Sequence, residues 1–367
     1  MRTRLRENNF DLLRLVFATM VVFHHTGELS SAPSLWWMSK YFSPHFAVQA
    51  FFFVSGFLVT MSYEKSKTLR SYADKRFRRI APAYAFVVLT CAFSFFLLSA
   101  LPPAQYFGSG GFRRYVFFNL ILSNFSAPSL PGVFARHAEQ AVNGSLWTIK
   151  VEVAFYAMVP VIVLLGRKFG RYKTIVAVFV LSLAWRLALM AWAQKTGNRF
   201  FAKLAIQAPG QLTFFVIGAV AYYRTEEGKA SVPWWGAALG FLGYVFLNGL
   251  AHELTAPFCV AAVVYWAAIT IDKAPIDVNK YGDISYGMYL YHWPLIQVLV
   301  ALGLFVGGAS AAAVGSVSVV LGAIAISYFS WHFVEKRWLV HRAHHAPAAP
   351  KKAVSEAAPA EELAAGK

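Results

Sequence analysis

Ten long stretches, each almost free of charge, dominate this sequence and leave it one kind of fold. They run over about residues 9–27, 43–63, 79–101, 145–166, 174–195, 205–223, 232–250, 256–271, 283–306 and 309–334. A bilayer core needs about 20 apolar residues per helix. No water is present there to satisfy open backbone groups, so a spanning segment must be a helix or part of a closed barrel. Runs of this length are helical. The expected fold is an all-α, polytopic membrane helical bundle of about ten transmembrane helices. A further apolar stretch, 112–125, is too short to cross and is expected to form a re-entrant or interfacial helix.

Composition closes the other routes. Charged residues make up 14% of the 367 and hydrophobic residues 58%, whereas a soluble domain carries roughly 25% charged residues. The net charge of +17 would suit nucleic acid if basic and aromatic residues interleaved on a polar surface. They cluster between apolar runs instead, so membrane lipid is the expected surrounding and nucleic acid is not an expected partner. With the N-terminus in the cytoplasm and ten crossings, 24 of the 34 Lys and Arg fall on the cytoplasmic side, 7 outside and 3 within segments. That asymmetry follows the positive-inside rule and puts both termini in the cytoplasm. Letting 112–125 span would invert every later loop.

The chain begins with Arg2, Arg4 and Arg6 before its first apolar run, which is also the outline of a secretory signal, with Ser30-Ser31-Ala32 as a weak cleavage site. A disposable segment has no reason to carry Arg14 and a His pair. Cys91 and Cys259 lie inside apolar runs, and no disulfide between them is expected. Residues 1–340 read as one membrane domain, and 341–367 as a disordered cytoplasmic tail. His341, His344 and His345 fit a solvated basic tail better than a metal site. No metal and no resident cofactor is expected.

Ionisable side chains are costly in hydrocarbon and those that persist mark a function or a partner. Arg14 and His25 are eleven residues apart in the first segment. That is about three helical turns and roughly 16 Å, so they share one face at different depths and could grip two parts of one long molecule. Asp11 could pair with Arg14, and His24 points about 100° away from His25. Glu152 is expected to reach the depth of His25, or else to pair with Lys150 or Arg186. His292 falls near mid-membrane, ahead of Pro294, which lets a helix bend. Ser55 is expected to hydrogen-bond across helices. Arg76 and Arg79 share a helix face at the cytoplasmic entry of the third segment, where guanidinium forks suit phosphate.

Taken in order, these blocks resemble acyltransferase family 3, the bacterial membrane O-acyltransferases that modify surface and secreted polysaccharides. Arg14 and His25 match its Arg-x10-His pattern, and Arg76 and Arg79 its Arg-x-x-Arg pattern. FFFVSGFL (51–58), SLWTIKVEVAFY (145–156), ISYGMYLYHWP (284–294) and SYFSWHFVEKRWL (327–339) resemble its later blocks. The opening NNFDLLRL departs from the commoner Leu-Asp-Gly-Leu-Arg.

The resemblance implies acetyl-CoA, or another acyl-CoA, as co-substrate, a glycan or lipid-linked oligosaccharide as acceptor, and the bacterial inner membrane as location. It implies His25 and Glu152 as catalytic residues, with Glu152 orienting His25, and Arg14, Arg76 and Arg79 as contacts to acyl-CoA. Ser145, Trp147, Tyr289 and His292 become candidate acceptor contacts or supports, and Glu335 a structural residue. A flippase or transporter of a lipid-linked sugar is the competing class, since intramembrane His, Glu and Arg suit transport as well. No internal repeat speaks for it. The enzyme requires one passage joining a basic cytosolic mouth to the imidazole of His25.

Overall fold

A computed structural model describes residues 7–278, 280 and 282–340. Arg2, Arg4, Arg6 and the expected tail 341–367, with its three histidines, lie outside the described residues. Every regular element among those described is helical. Ten main helices stand where the apolar runs were read. They are α1 (Phe10–Leu29), α2 (Pro44–Glu64), α3 (Leu69–Ser94), α4 (Trp147–Phe169) and α5 (Arg171–Thr196). Then follow α6 (Ala208–Glu226), α7 (Trp234–Phe246), α8 (Gly249–Tyr265), α9 (Ser285–Ala301) and α10 (Ala309–Ser330).

The chain is an all-α membrane bundle, but its helices are not ten equal rods. Seven of the described helical stretches are long and apolar enough to cross a bilayer unaided. α7 and α9 fall short, at 13 and 17 residues. α1 has the length but carries Asp11, Arg14, His24, His25 and Glu28. The short stretch after α3 folds as the 11-residue helix Gly110–Leu120, packed against α3 through a hydrogen bond from Tyr84 to the Asn119 carbonyl (2.8 Å). Cys91 and Cys259 are buried and unbonded.

Local signals set the helix starts. Ser43 and Thr68 cap α2 and α3 by accepting from Phe46 N and Ser71 N, and Pro44 occupies the first turn of α2. Among the described helices α9 is the most enclosed. Every residue from Ser285 to Pro294 is buried, the mark of a helix surrounded by others rather than facing lipid. It packs against α1 on one side and α10 on the other. The first loop residues also anchor α1: Asn9 Nδ2 donates to the carbonyls of Ala267 (3.2 Å) and Asp272 (3.1 Å). This gives the unusual Asn-Asn-Phe opening a structural role, since a shorter side chain could not tie α1 to the loop after α8.

α2 and α6 make the most intimate helix pair, and two glycines permit it. A Cβ on Gly56 would sit 1.9 Å from the Phe215 carbonyl oxygen, and one on Gly218 would sit 2.1 Å from that of Phe53. Close approach of this kind is how helices associate where the hydrophobic effect is weak. Gly218→Ala is therefore expected to lower stability by about 1–3 kcal/mol, read as a fall in the thermal midpoint of the detergent-purified protein. An unchanged midpoint would mean that the two helices separate easily.

Candidate active site

Two cavities lie one above the other between α1, α2, α4 and α9. The first has a volume of about 370 Å³ and is lined by Arg14, Arg76, Arg79, Glu152, Tyr156 and Tyr289, with apolar walls from α2. The second, about 300 Å³, is lined by His25, Ser145, Trp147, Arg186, Tyr289 and Trp293, with His24, His45 and Glu28 at its edge. Val48 and Tyr289 belong to both. The single passage expected from the sequence is thus divided, and Tyr289 is the largest part of the partition. Its hydroxyl is held by Thr148 Oγ1 (2.7 Å) and lies 3.4 Å from the Ser145 carbonyl.

The first cavity is basic. Asp283 takes two of its arginines: Oδ2 accepts from Arg14 Nη1 at 3.0 Å and from Arg79 Nη2 at 2.5 Å. Its other oxygen accepts from Ser285 Oγ at 2.6 Å. Arg14 therefore does not snorkel to lipid. Asp11, the partner expected from helix spacing, is secondary at 3.8 Å. Arg76 stands apart. It donates to Ser62 Oγ (3.2 Å) and lies over the Tyr156 ring, while its buried Nε has no hydrogen-bond partner among the described residues. Three guanidinium groups and one carboxylate, Glu152, line the cavity; Arg14 and Arg79 are paired with Asp283, and Arg76 is the one of the three for which no ion pair is found among the described residues.

Glu152 corrects an expectation. It lies in the basic cavity, not beside His25. Oε1 accepts from the Tyr156 hydroxyl and, at 3.5 Å, from Ser55 Oγ, the helix-to-helix bond expected of that serine. No hydrogen bond among the described residues joins Glu152 to His25. Neither of the alternative partners is found either. Arg186 pairs with Glu253 on α8, and Lys150 lies over the Phe125 ring at 4.7 Å. The error came from depth: helix rise gives height along an axis but not azimuth, and Glu152 is turned toward Ser55 on α2.

The partner of His25 is His292, with Nδ1 of the first 2.9 Å from Nε2 of the second. The rest of the network assigns the protons. His292 Nδ1 lies 3.1 Å from the Met288 carbonyl, which can only accept. His292 Nδ1 therefore carries the hydrogen, and in the neutral ring Nε2 is an acceptor. His25 must then donate from Nδ1. That leaves His25 Nε2 with a lone pair and no hydrogen-bond partner among the described residues, on a side chain that lines the second cavity. This is the tautomer of a general base. Trp293 packs edge-on against the His25 ring at 4.7 Å and holds its tilt.

His292 is held in turn by the loop before α4. Pro294 has no N–H for the Leu290 carbonyl, and Asn143 Nδ2 donates to that carbonyl instead (2.8 Å). Ser145 Oγ donates to Asn143 (2.6 Å) and approaches the Tyr289 carbonyl (3.3 Å). Gln297 Nε2 donates to the carbonyls of Glu139 (2.6 Å) and Ala141 (3.0 Å), and Trp293 Nε1 to Ala141 (3.1 Å). Gly144 is the only residue that fits there, because a Cβ would meet the Trp293 ring at 2.5 Å. Ser145 is thus a support of α9, while Trp147 reaches the cavity wall.

Sequence reasoning did not find Asp283, Asn143 or Gln297. Asp283 was the findable one: an acid beginning an apolar segment, in a chain with buried arginines to match, is a pairing signal. His24 is bound through Nδ1 to the carbonyls of Ser39 (3.1 Å) and Phe42 (3.0 Å), but it is not turned away from His25: it lines the same cavity, with the two rings 5.4 Å apart. Glu335 is buried and accepts from Ser330 Oγ (3.0 Å), which meets the Tyr291 hydroxyl. One group of described residues could hold a metal ion: a nitrogen from each of His24 and His25 and a Glu28 carboxylate oxygen lie within 4.8 Å of one another.

Fold and site together define a polytopic membrane protein with two adjoining internal cavities, one lined by three arginines and the other by histidines. The sequence profile of acyltransferase family 3, described as an acyltransferase domain, matches residues 7–331. The chain belongs to that family and is, at that level, a membrane O-acyltransferase. It is 28% identical over 338 residues to an O-acetyl transferase of Shigella phage Sf6, a span of 91% of this chain and 96% of that one. It is also 26% identical over 356 residues to nodulation protein 10 of Rhizobium leguminosarum bv. viciae, covering 90% of this chain and 92% of the relative. No solved structure matches the chain.

Proposed function

We propose that this O-acyltransferase takes its acyl group from acyl-CoA, acetyl-CoA first among them, and places it on a sugar hydroxyl of a surface or secreted glycan. The observation that carries this is the junction at Tyr289. A cavity lined by three guanidinium groups, one of them outside any ion pair found among the described residues, meets, across one side chain, a cavity containing an imidazole with a free Nε2 lone pair. Acyl-CoA has the matching shape: a phosphorylated end and a long thin arm ending in a thioester. Its phosphates suit the unpartnered Arg76 Nε. Its arm suits the apolar wall of α2, and displacing Tyr289 brings the thioester beneath His25.

Chemistry follows from the tautomer. The sugar oxygen attacks the thioester carbonyl carbon while His25 Nε2 takes the hydroxyl proton. The resulting imidazolium is steadied by its Nδ1–H bond to His292. The carbon–sulfur bond then breaks, and the proton returns from His25 to the departing sulfur. Ester and free thiol are the products, and the base is regenerated. Positive-inside loops support a cytoplasmic start of α1 in the inner membrane of a bacterial cell, which would open the basic cavity to the compartment where acyl-CoA is made.

Comparison of the surface glycans of cells with and without the gene, by mass spectrometry, tests the product. Arg76→Gln tests the donor site. Because Arg76 is in no ion pair among the described residues, its loss is expected to raise the KM for acetyl-CoA by about tenfold with little change in thermal midpoint. An unchanged KM would remove Arg76 from the donor site.

A further inference from the structure

The second cavity contains two polar atoms that the fold leaves unsatisfied. Arg186 on α5 and Gln211 on α6 both line it, and both are buried, 8% and 4% exposed. Arg186 Nη1 and Gln211 Oε1 have no hydrogen-bond partner among the described residues. Unpaired buried groups of this kind are rare in native proteins because each forfeits its bonds to water. Two in one cavity wall, shared with the free Nε2 of His25, mark places meant for a ligand.

The charge of Arg186 is already spent. Its Nε donates to Glu253 Oε2, and its Nη2 lies 3.4 Å from Oε1. What faces the cavity is one N–H of a neutralised guanidinium, not an open cation. An anionic ligand would gain little there and would meet the carboxylates of Glu253 and Glu28 nearby. A neutral hydroxyl is matched on both counts: its oxygen accepts from Arg186 Nη1, and a hydroxyl hydrogen donates to Gln211 Oε1. Trp147 and Trp293 supply aromatic surface in the same cavity, as pockets for partly apolar rings do.

We propose that Arg186 and Gln211 bind the acceptor, and that the residue acylated is a neutral sugar, such as a hexose or an N-acetylhexosamine, rather than a uronic or sialic acid. This rests on the proposal that the acceptor is a glycan. Gln211→Leu keeps volume and removes the acceptor atom. The double variant Arg186→Leu/Glu253→Leu removes the N–H without stranding a charge, since a buried ion pair can be replaced as a unit far more safely than halved.

The probe is glycan extracted from cells lacking the gene, offered with acetyl-CoA to the detergent-purified full chain. Gln211→Leu is expected to raise the KM for glycan by about tenfold. The KM for acetyl-CoA should not change, and the double variant should behave alike if it folds. Mass spectrometry of the wild-type product should place the new ester on a neutral sugar. A wild-type glycan KM in Gln211→Leu, or an ester on an acidic sugar, overturns the inference and leaves the enzyme assignment standing. A wild-type protein that acylates no glycan overturns the acceptor proposal itself, and this inference with it.

Discussion

His25→Ala is expected to slow acyl transfer by about 10²–10⁴-fold while the protein remains folded and inserted in the membrane. The hydrogen-bond network leaves Nε2 of this ring with a lone pair and no partner among the described residues, whereas Nε2 of the neighbouring His24 lies 3.5 Å from the Glu28 carboxylate. Beyond its one hydrogen bond to His292 the ring only packs against Trp293 and His292, so truncation removes a single bond and leaves a small cavity. The discriminating companion is His292. With His292→Ala, His25 loses the group that fixes its tautomer, and Nδ1 can take the lone pair instead. Activity should fall by less than in His25→Ala, and the double variant should be no worse than His25→Ala alone, as expected when two residues act as a unit. Transfer near the wild-type rate in His25→Ala would end the general-base assignment. Multiplying losses in the double variant would mean that His292 acts independently of His25.

Asp283→Asn should be the most damaging change for stability. One carboxylate oxygen receives both Arg14 and Arg79, at 3.0 and 2.5 Å, with all three side chains less than 20% exposed. Asparagine keeps the shape and the Ser285 bond but not the charge, and two guanidinium groups are then left facing each other. Removing one partner from a buried pair costs about 3–5 kcal/mol, because the stranded charge has no water to return to. The detergent-purified variant should show a thermal midpoint well below wild type. If acyl-CoA phosphates reach this cavity, acetyl-CoA should raise the midpoint of Asp283→Asn more than that of the wild type, since an anion then replaces the missing one. A variant as stable as wild type would show that the two arginines find other partners. Equal stabilisation of both proteins by acetyl-CoA would argue that its phosphates stay at Arg76, on the same cavity wall, and do not approach Arg14 and Arg79.

Much of this protein is legible without coordinates because the bilayer is a severe solvent. Long uncharged runs can only be helices there, so helix positions followed directly from composition along the chain. The Arg14 and His25 spacing placed two side chains at two depths of one face, and the structure puts them in two cavities, one above the other. Where expectation failed, as with Glu152, the missing quantity was rotation of a helix about its axis. Every residue of α4 has a height that the sequence supplies, but which neighbouring helix it faces depends on how the helices pack, and Glu152 faces Ser55 of α2. Lengths misled in the same way. Segment 283–306 was read as a full crossing, but α9 ends at Ala301, because enclosure by α1 and α10, not lipid contact, supports it.

By itself the sequence determined that the chain is a helical membrane bundle, where its helices lie, and which polar side chains were too costly to be idle. Those are one-dimensional consequences of hydrocarbon having no water. Only the tertiary structure decided the pairings: His25 with His292, Arg14 and Arg79 with Asp283, Arg186 with Glu253. A hydrogen bond of about 3 Å joins residues here from 67 to 269 positions apart, and that precision comes from packed helix surfaces, which no spacing along one chain encodes.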